Sequence, residues 1–330
     1  MNSPLSVGII GAGEMVSRYH LPTLLALKPE VRVDWITDAD PGKAKLVARA
    51  FRVPAQSLPD NPANLPVTDI VLMAIPYGTR GPYWKSLRER PSAIYLEKPI
   101  ALSADEHREL CATFPPYKFG CGYQRRSWGP TQMTKRLIED ELFGSLQRIS
   151  LGFGQPGITL WGGGYSSDIR LAGGGVIFEF AVHALDQILY CASAESVEAS
   201  RVRMIVDGGY DLHTEAEVKV TTKNHRRIDC SITISRAAVT SESLDFHFQH
   251  ATVSMSLTVD DITVRNLRND RTYRLAYGND SLYPSTPRQT LYEHWLAFIQ
   301  GLRTSRLNRT CATESILTTD LVEQLYRARQ

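Results

Sequence analysis

The sequence predicts an α/β protein of two domains, a parallel-sheet domain over residues 1–122 and a second α/β domain over residues 123–330. Three observations carry this. As far as Gly122, short apolar runs alternate with helical stretches, the pattern of a parallel sheet with helices on both faces. From Arg148 onward, period-two runs follow one another with turn residues between them, the pattern of a mostly antiparallel sheet. The first apolar run ends in Gly11-Ala12-Gly13, a glycine turn where a strand passes into a helix.

Leu5–Ile10 shows no polar alternation, which suits a strand buried on both faces. After the glycine turn a helix is expected from near Glu14 through Leu24. Strand, turn and helix N-terminus together receive a pyrophosphate: backbone N–H groups and the helix dipole point at the anion, and glycine lets it come close. This defines a Rossmann dinucleotide-binding domain, with Gly11, Gly13, Glu14 and Met15 expected at the cofactor. The third glycine of GxGxxG is replaced by Val16.

Val31–Thr37 reads as the second strand and runs into Asp38, about 25 residues past Gly13, where dinucleotide folds place an acid on the adenosine ribose. A carboxylate there repels a 2′-phosphate and favours NAD, although the nearby Lys43 and Lys45 leave NADP allowed. The rival role for Asp38 is capping the helix that starts near Pro41. Helix 41–52, a proline-rich connection and strand Asp69–Ile75, which ends at Pro76, come next. A helix near 79–90, strand Ala93–Leu96, helix 103–114 and strand Lys118–Gly122 complete the series. Ligands of such sheets bind beyond the carboxyl ends of the strands. Asp38, Ile75, Pro76, Glu97 and Lys98 all fall there and are expected at the cofactor. Lys98 can hold its charge near a substrate oxygen that becomes an alkoxide; its other reading is a surface lysine in a turn set by Pro99.

In the second domain, strands are expected at Ile149–Gly154, Ser196–Val206, Ala216–Thr222, Arg227–Arg236, Ser243–Gln249, Thr252–Thr258 and Asp261–Asn266. Helix 176–190 would cover one face of their sheet, and helices 288–302 and 314–328 close the chain. An exposed sheet face of that size is a liability, so the other face is expected between subunits of a homodimer or homotetramer. Behind the triplet Gly173-Gly174-Gly175, steps of four and three residues put Glu179, His183 and Asp186 on one helix face among Phe178, Phe180, Val182 and Leu185. Ionisable groups in so apolar a helix cost stability or do chemistry. A core histidine tied to Glu179 explains the stretch as well. No metal is expected, because no second His or Cys lies at ligand spacing.

A formal charge of +2 gives no electrostatic case for nucleic acid or an acidic membrane, and no apolar run is long enough to span a bilayer. Five widely spaced cysteines without a CxxC read as reduced, mostly buried thiols. With no basic leader before the glycine motif, a cytoplasmic location is expected.

These pieces together resemble the glucose-fructose oxidoreductase/inositol dehydrogenase family, Gfo/Idh/MocA. The matching residues are Gly8–Gly13 with His20-Leu-Pro22, Ala74-Ile-Pro76, Glu97-Lys98-Pro99, Gly122-Tyr-Gln-Arg-Arg126, the block from Gly173 through His183 to Asp186, and Tyr292–Phe298. The resemblance implies a Rossmann domain plus an α/β domain with a large open sheet, NAD(P) as cofactor, and a sugar or polyol substrate. It makes Lys98 the catalytic lysine and His183 the acid/base or substrate-orienting histidine, and it puts Glu179 where the family has Asp. Glu179 would then fix the imidazole tautomer. Tyr123, Arg125 and Arg126 follow the last Rossmann strand and would contact substrate, as would Asp186; an arginine there suits a carboxylate or phosphate. Trp161 and Tyr165 are candidate sugar-stacking residues, and Tyr165-Ser166 stands where the family has Trp-Arg. The expected reaction is hydride transfer at a hydroxyl or carbonyl carbon. Two rivals are an NAD-dependent lyase or glycosidase without net redox and a non-catalytic NAD sensor.

Overall fold

The computed structural model describes residues 3–154, 156, 168–258, 261–276 and 286–329. Its contacts divide the chain into two units: residues 1–100, 105–124 and 287–314 form the first, and residues 101–104, 125–286 and 315–330 the second.

The first unit holds β1 (Leu5–Ile10), α1 (Leu21–Ala26), β2 (Val31–Thr37), α2 (Pro41–Phe51), β3 (Ile70–Met73), α3 (Gly81–Arg88), β4 (Ala93–Leu96), α4 (Ala104–Thr113) and β5 (Phe119–Cys121). All five strands are parallel, in the order β2-β1-β3-β4-β5. Strand order reverses between β1 and β3, the switch point at which doubly wound sheets open a crevice. β3 and β4 are buried along their whole length, as strands covered on both faces must be. α2 starts on Pro41 with Asp40 as N-cap, whose carboxylate accepts from Gly42 N at 2.9 Å and Lys43 N at 3.2 Å. Between β1 and α1 the chain makes a π turn, Val16–His20.

The second unit holds α5 (Gly129–Glu139), β6 (Leu146–Phe153), α6 (Ile169–Ala172), a π turn at Ile177–Ala181 and α7 (Val182–Cys191). β7 (Ala194–Asp207), β8 (Tyr210–Thr222), β9 (Arg227–Ser235), β10 (Ser243–Phe248), β11 (Ala251–Ser256), β12 (Asp261–Asn266) and β13 (Thr272–Ala276) follow. The sheet has eight strands in the order β13-β12-β11-β10-β6-β9-β8-β7; only β6 and β9 run parallel. β13 is one strand more than the sequence led us to expect, and β8 starts earlier, at Tyr210. Leu244, Phe246, Phe248, Val253 and Met255 point to the buried face. α5, α7 and α9 (Ile316–Arg327) lie on this unit's sheet; Gln324 of α9 bonds Ala199 N at 2.8 Å and Val197 O at 3.1 Å along β7. The opposite face carries half-buried Ser150, Asp245, His247, Thr252 and Ser254. It is polar, so exposed apolar area does not by itself demand a partner there.

α8 (Pro287–Thr304), placed by the sequence in the second domain, packs instead into the core of the first unit. Leu291, Trp295, Phe298 and Ile299 join Val7, Ile9, Leu24 and Tyr95 there, and the Trp295 and Tyr95 rings stack at 4.2 Å. No helix is long and apolar enough to cross a membrane among the described residues. All five cysteines are free and buried.

Candidate active site

The glycine turn divides its work between packing and openness. Gly11 has φ +109°, and a Cβ there would run into the backbone of Ala74 and lie 3.1 Å from Ile75 Cγ2, across the β1/β3 crevice. A Cβ on Gly13 would meet nothing within 4 Å. Glycine is required at residue 11 by the fold, whereas at residue 13 the fold leaves space of the kind a pyrophosphate needs. Val16 is fully buried in the core, and the π turn, with one more residue per turn than an α-helix, carries its side chain there. Glu14 is exposed and pairs with Arg18 at 2.7 Å, and Met15 is half-buried beside it.

Asp38 does not cap α2, since Asp40 does. Its Oδ2 accepts from Ala12 N at 2.7 Å and its Oδ1 from Asp40 N at 2.8 Å. The acid is thereby fixed against the glycine turn at the end of β2. Burial, and after it the charge of Asp38, pushes the phenol of Tyr83 in α3 above the ordinary range. Tyr83 belongs to this corner, and its sequence gives no sign of it. These groups suit a dinucleotide: an open turn, an anchored acid and an aromatic ring, with Lys43 and Lys45 exposed on α2.

At the end of β4, Glu97 turns inward. Its Oε1 lies 2.7 Å from His20 Nε2, and Trp295 Nε1 donates to His20 Nδ1 at 3.0 Å. Indole N–H only donates, so Nδ1 is the accepting nitrogen and Nε2–H donates to Glu97. His20 is fully buried. A Cβ on Gly122 would come within 2.7 Å of the same carboxylate, so glycine there makes room for it. Glu97, expected at the cofactor, is held in this network and steadies the turn of Lys98, whose backbone N donates to Glu97 Oε2 at 3.3 Å. Lys98 is half-buried just past the strand, and its peptide to Pro99 is cis.

Arg80, which the sequence did not single out, is 2% exposed and donates to Ile75 O at 3.1 Å, Glu97 O at 3.0 Å and Pro99 O. It ties the chain after β3 to the chain after β4. Ile75 and Pro76 are half-buried at that strand end, and Tyr77 donates to Glu106 at 2.7 Å. Tyr123 is buried at 1% exposure.

In the second unit the glycine triplet is a packing device. A Cβ on Gly175 would strike the backbone of Asp211. The Asp211 carboxylate accepts from Gly175 N at 2.6 Å and Ile177 N at 2.9 Å, and Tyr326 donates to it. A strand residue thus caps the start of the helical stretch, which no local sequence signal reveals. Burial raises the pKa of Asp211, against these hydrogen bonds, which lower it.

Of the three polar residues expected on one helix face, Glu179 and Asp186 are each met by an arginine, Arg236 and Arg126. Glu179 lies in the π turn Ile177–Ala181 that leads into α7. Its carboxylate accepts from Arg236 at 2.8 Å, so the cation it meets is one the sequence reading passed over. His183 is half-buried in the first turn of α7. Asp186 and Arg126, both expected at substrate, are each 1% exposed and close on one another in a bidentate pair of 2.8 and 2.6 Å. Thr318 donates to Asp186 at 2.8 Å. Two fully desolvated charges satisfy each other here, which makes the pair an internal tie of the unit.

Arg125 donates to Leu257 O at 3.3 Å and lies 5.5 Å over the Trp128 ring. Burial pulls its pKa down to about 10, so it stays a cation at neutral pH. Trp161 and Tyr165 lie outside the described residues. No group of three His, Cys, Asp or Glu among the described residues could hold a metal ion.

The first unit is a dinucleotide-binding α/β domain, and the second carries a large, mostly antiparallel sheet. Residues 5–118 match the GFO_IDH_MocA family model, described as oxidoreductase family, NAD-binding Rossmann fold. Among characterised proteins it is similar to D-glucoside 3-dehydrogenase of Escherichia coli (strain K12), 22% identical over 206 residues, 60% of this chain and 57% of the relative. It is 23% identical over 205 residues to scyllo-inositol 2-dehydrogenase (NAD(+)) of Bacillus subtilis (strain 168), 61% of this chain and 57% of the relative. The match thus spans 57% of each relative's length. The fold is shared with the crystal structure of a 3-ketoreductase from Actinomadura kijaniata in complex with NADP and TDP-benzene, at a TM-score of 0.80, 15% identity, and 99% and 98% coverage of the two chains.

Proposed function

We propose that the protein is an NAD-dependent dehydrogenase or ketoreductase acting at a hydroxyl or carbonyl carbon of a sugar-like substrate. The observation that carries this reading is Asp38: released from helix capping and anchored to the open glycine turn, it suits a ribose with free hydroxyls and repels a 2′-phosphate. Bound nicotinamide supplies the hydride acceptor or donor. The chain's own residues supply charge and proton transfer. Lys98 sits at a strand end whose backbone is fixed by Arg80 and Glu97, and its ammonium stabilises negative charge growing on the substrate oxygen. In the second unit, His183 is the residue that carries a proton to or from a substrate oxygen. Glu179, four residues before His183 in sequence, is paired with Arg236, and the sugar and polyol relatives favour a hydroxyl-rich substrate. A second copy of the chain would pair on the polar sheet face, which sedimentation tests.

The deciding variant is Lys98→Ala. Turnover, followed by reduced-nicotinamide absorbance, is expected to fall by about 10²- to 10⁴-fold while NAD affinity holds. A collapse of NAD affinity would instead make Lys98 a cofactor or structural residue. Turnover without added NAD, with no net reduction, would favour the lyase reading.

A further inference from the structure

Arg236 stands one residue past the end of β9 on a rigid turn. Its backbone N donates to Leu212 O at 2.9 Å, and Ser235 Oγ accepts from Ala237 N at 3.1 Å and Ala238 N at 3.0 Å. The side chain is 10% exposed, and its Nη2 donates to Glu179 Oε2 at 2.8 Å. Its Nε–H is buried and meets no acceptor among the described residues. Buried donors in native proteins are almost always paired, so an orphaned guanidinium N–H points to a ligand atom. The place is suggestive too. Glu179 belongs to the π turn that leads directly into α7, and His183 follows four residues later. Phe180, next to Glu179, stacks at 6.4 Å on Phe153, the last residue of β6. β6 and β9 are the parallel pair, so Arg236 lies at their shared carboxyl end.

We infer that Arg236 is a specificity-determining residue whose Nε–H donates to an uncharged oxygen, hydroxyl or carbonyl, of the substrate, while Glu179 holds the guanidinium in place. The inference deepens the sugar-substrate reading and rests on His183 belonging to that site. Charge selects the class. Glu179 already neutralises the guanidinium, so an anionic group at Nε would crowd a second negative charge against one cation in a desolvated corner. A hydroxyl or carbonyl oxygen completes the donor and adds no charge. This departs from the expectation that arginines select a sugar acid or phosphate.

The test uses the full chain loaded with NAD, with myo-inositol and D-gluconate titrated by calorimetry as a neutral polyol and an acid of similar size. Arg236→Met removes the donor. Arg236→Lys keeps a cation for Glu179 and removes the planar fork. Wild type is expected to prefer myo-inositol, and both variants to bind it about tenfold more weakly with NAD affinity unchanged. Arg236→Lys decides the matter where Arg236→Met does not fold. Tighter binding of gluconate, binding of neither probe, or wild-type affinity in Arg236→Lys would overturn the assignment. Failure of the redox reading looks different: myo-inositol binds, and no reduced nicotinamide forms.

Discussion

The Arg126–Asp186 pair separates a structural role from a substrate role by a large margin. Asp186→Leu keeps the branching of the side chain and leaves the Arg126 guanidinium, 1% exposed, without its bidentate partner. Removing one member of a buried pair costs about 3–5 kcal/mol, because a desolvated charge is left alone. Thr318 also loses its acceptor, which places the loss toward the upper end. For a domain of this size each kcal/mol moves the thermal midpoint by about 2–4 °C, giving a fall of roughly 6–20 °C. Urea unfolding followed by circular dichroism measures the loss. The double variant Arg126→Leu/Asp186→Leu closes the thermodynamic cycle and should recover most of it, since apolar replacement of a whole buried pair is close to neutral. A single variant with an unchanged urea midpoint and weakened substrate binding would refute this reasoning and return both residues to the substrate.

The two glycines of the dinucleotide turn should part company. Gly13→Ala meets nothing and should leave stability within about 0.5 kcal/mol, yet weaken NAD about tenfold by filling the open space, as a fluorescence titration would read. Gly11→Ala combines a left-handed φ with a backbone clash and should cost about 1–3 kcal/mol in urea unfolding. Burial lowers the pKa of His247 below 6.5, against the pull of Asp245 and with the push of Arg148. Below that pH the unfolded chain takes up a proton that the folded His247 resists, so this residue costs stability as pH falls through the window under 6.5. His247→Gln should flatten the decline in urea midpoint between neutral and mildly acid pH, and an unchanged slope would count against the assignment.

The first unit was largely legible because its signals are local. The glycine turn after Leu5–Ile10, the strand ending in Asp38 and the Glu97-Lys98-Pro99 strand end each occupy a few consecutive residues, and the structure has strands ending at each of them. Whether Asp38 or another residue caps α2 was open until the cap appeared on Asp40. What stayed hidden is non-local. Asp211 caps a helical stretch 36 residues earlier in the chain, and Arg80 reaches Glu97 O from the start of a helix whose sequence gives no sign of that contact. The π turn at Glu179 was hidden too, because it leaves no mark in a three- and four-residue pattern. Arg126 and Asp186 were read as open to ligand because sequence carries no information on which charges find each other in the interior. Arg236, after a strand of alternating residues, reads as a solvated end until Glu179 meets it.

The return of α8 to the first unit bears on how the molecule is made. Trp295 supplies the stacking partner of Tyr95 and the donor to His20, yet it lies 200 residues after Tyr95 in sequence. A ribosome emitting this chain from its amino end delivers the five parallel strands first, with the aromatic plug still unsynthesised. The other unit also waits, since α9, which runs along β7, emerges after all eight strands of its sheet. Each unit therefore completes its core only with a helix that follows all of its strands in sequence, so neither can close early in translation.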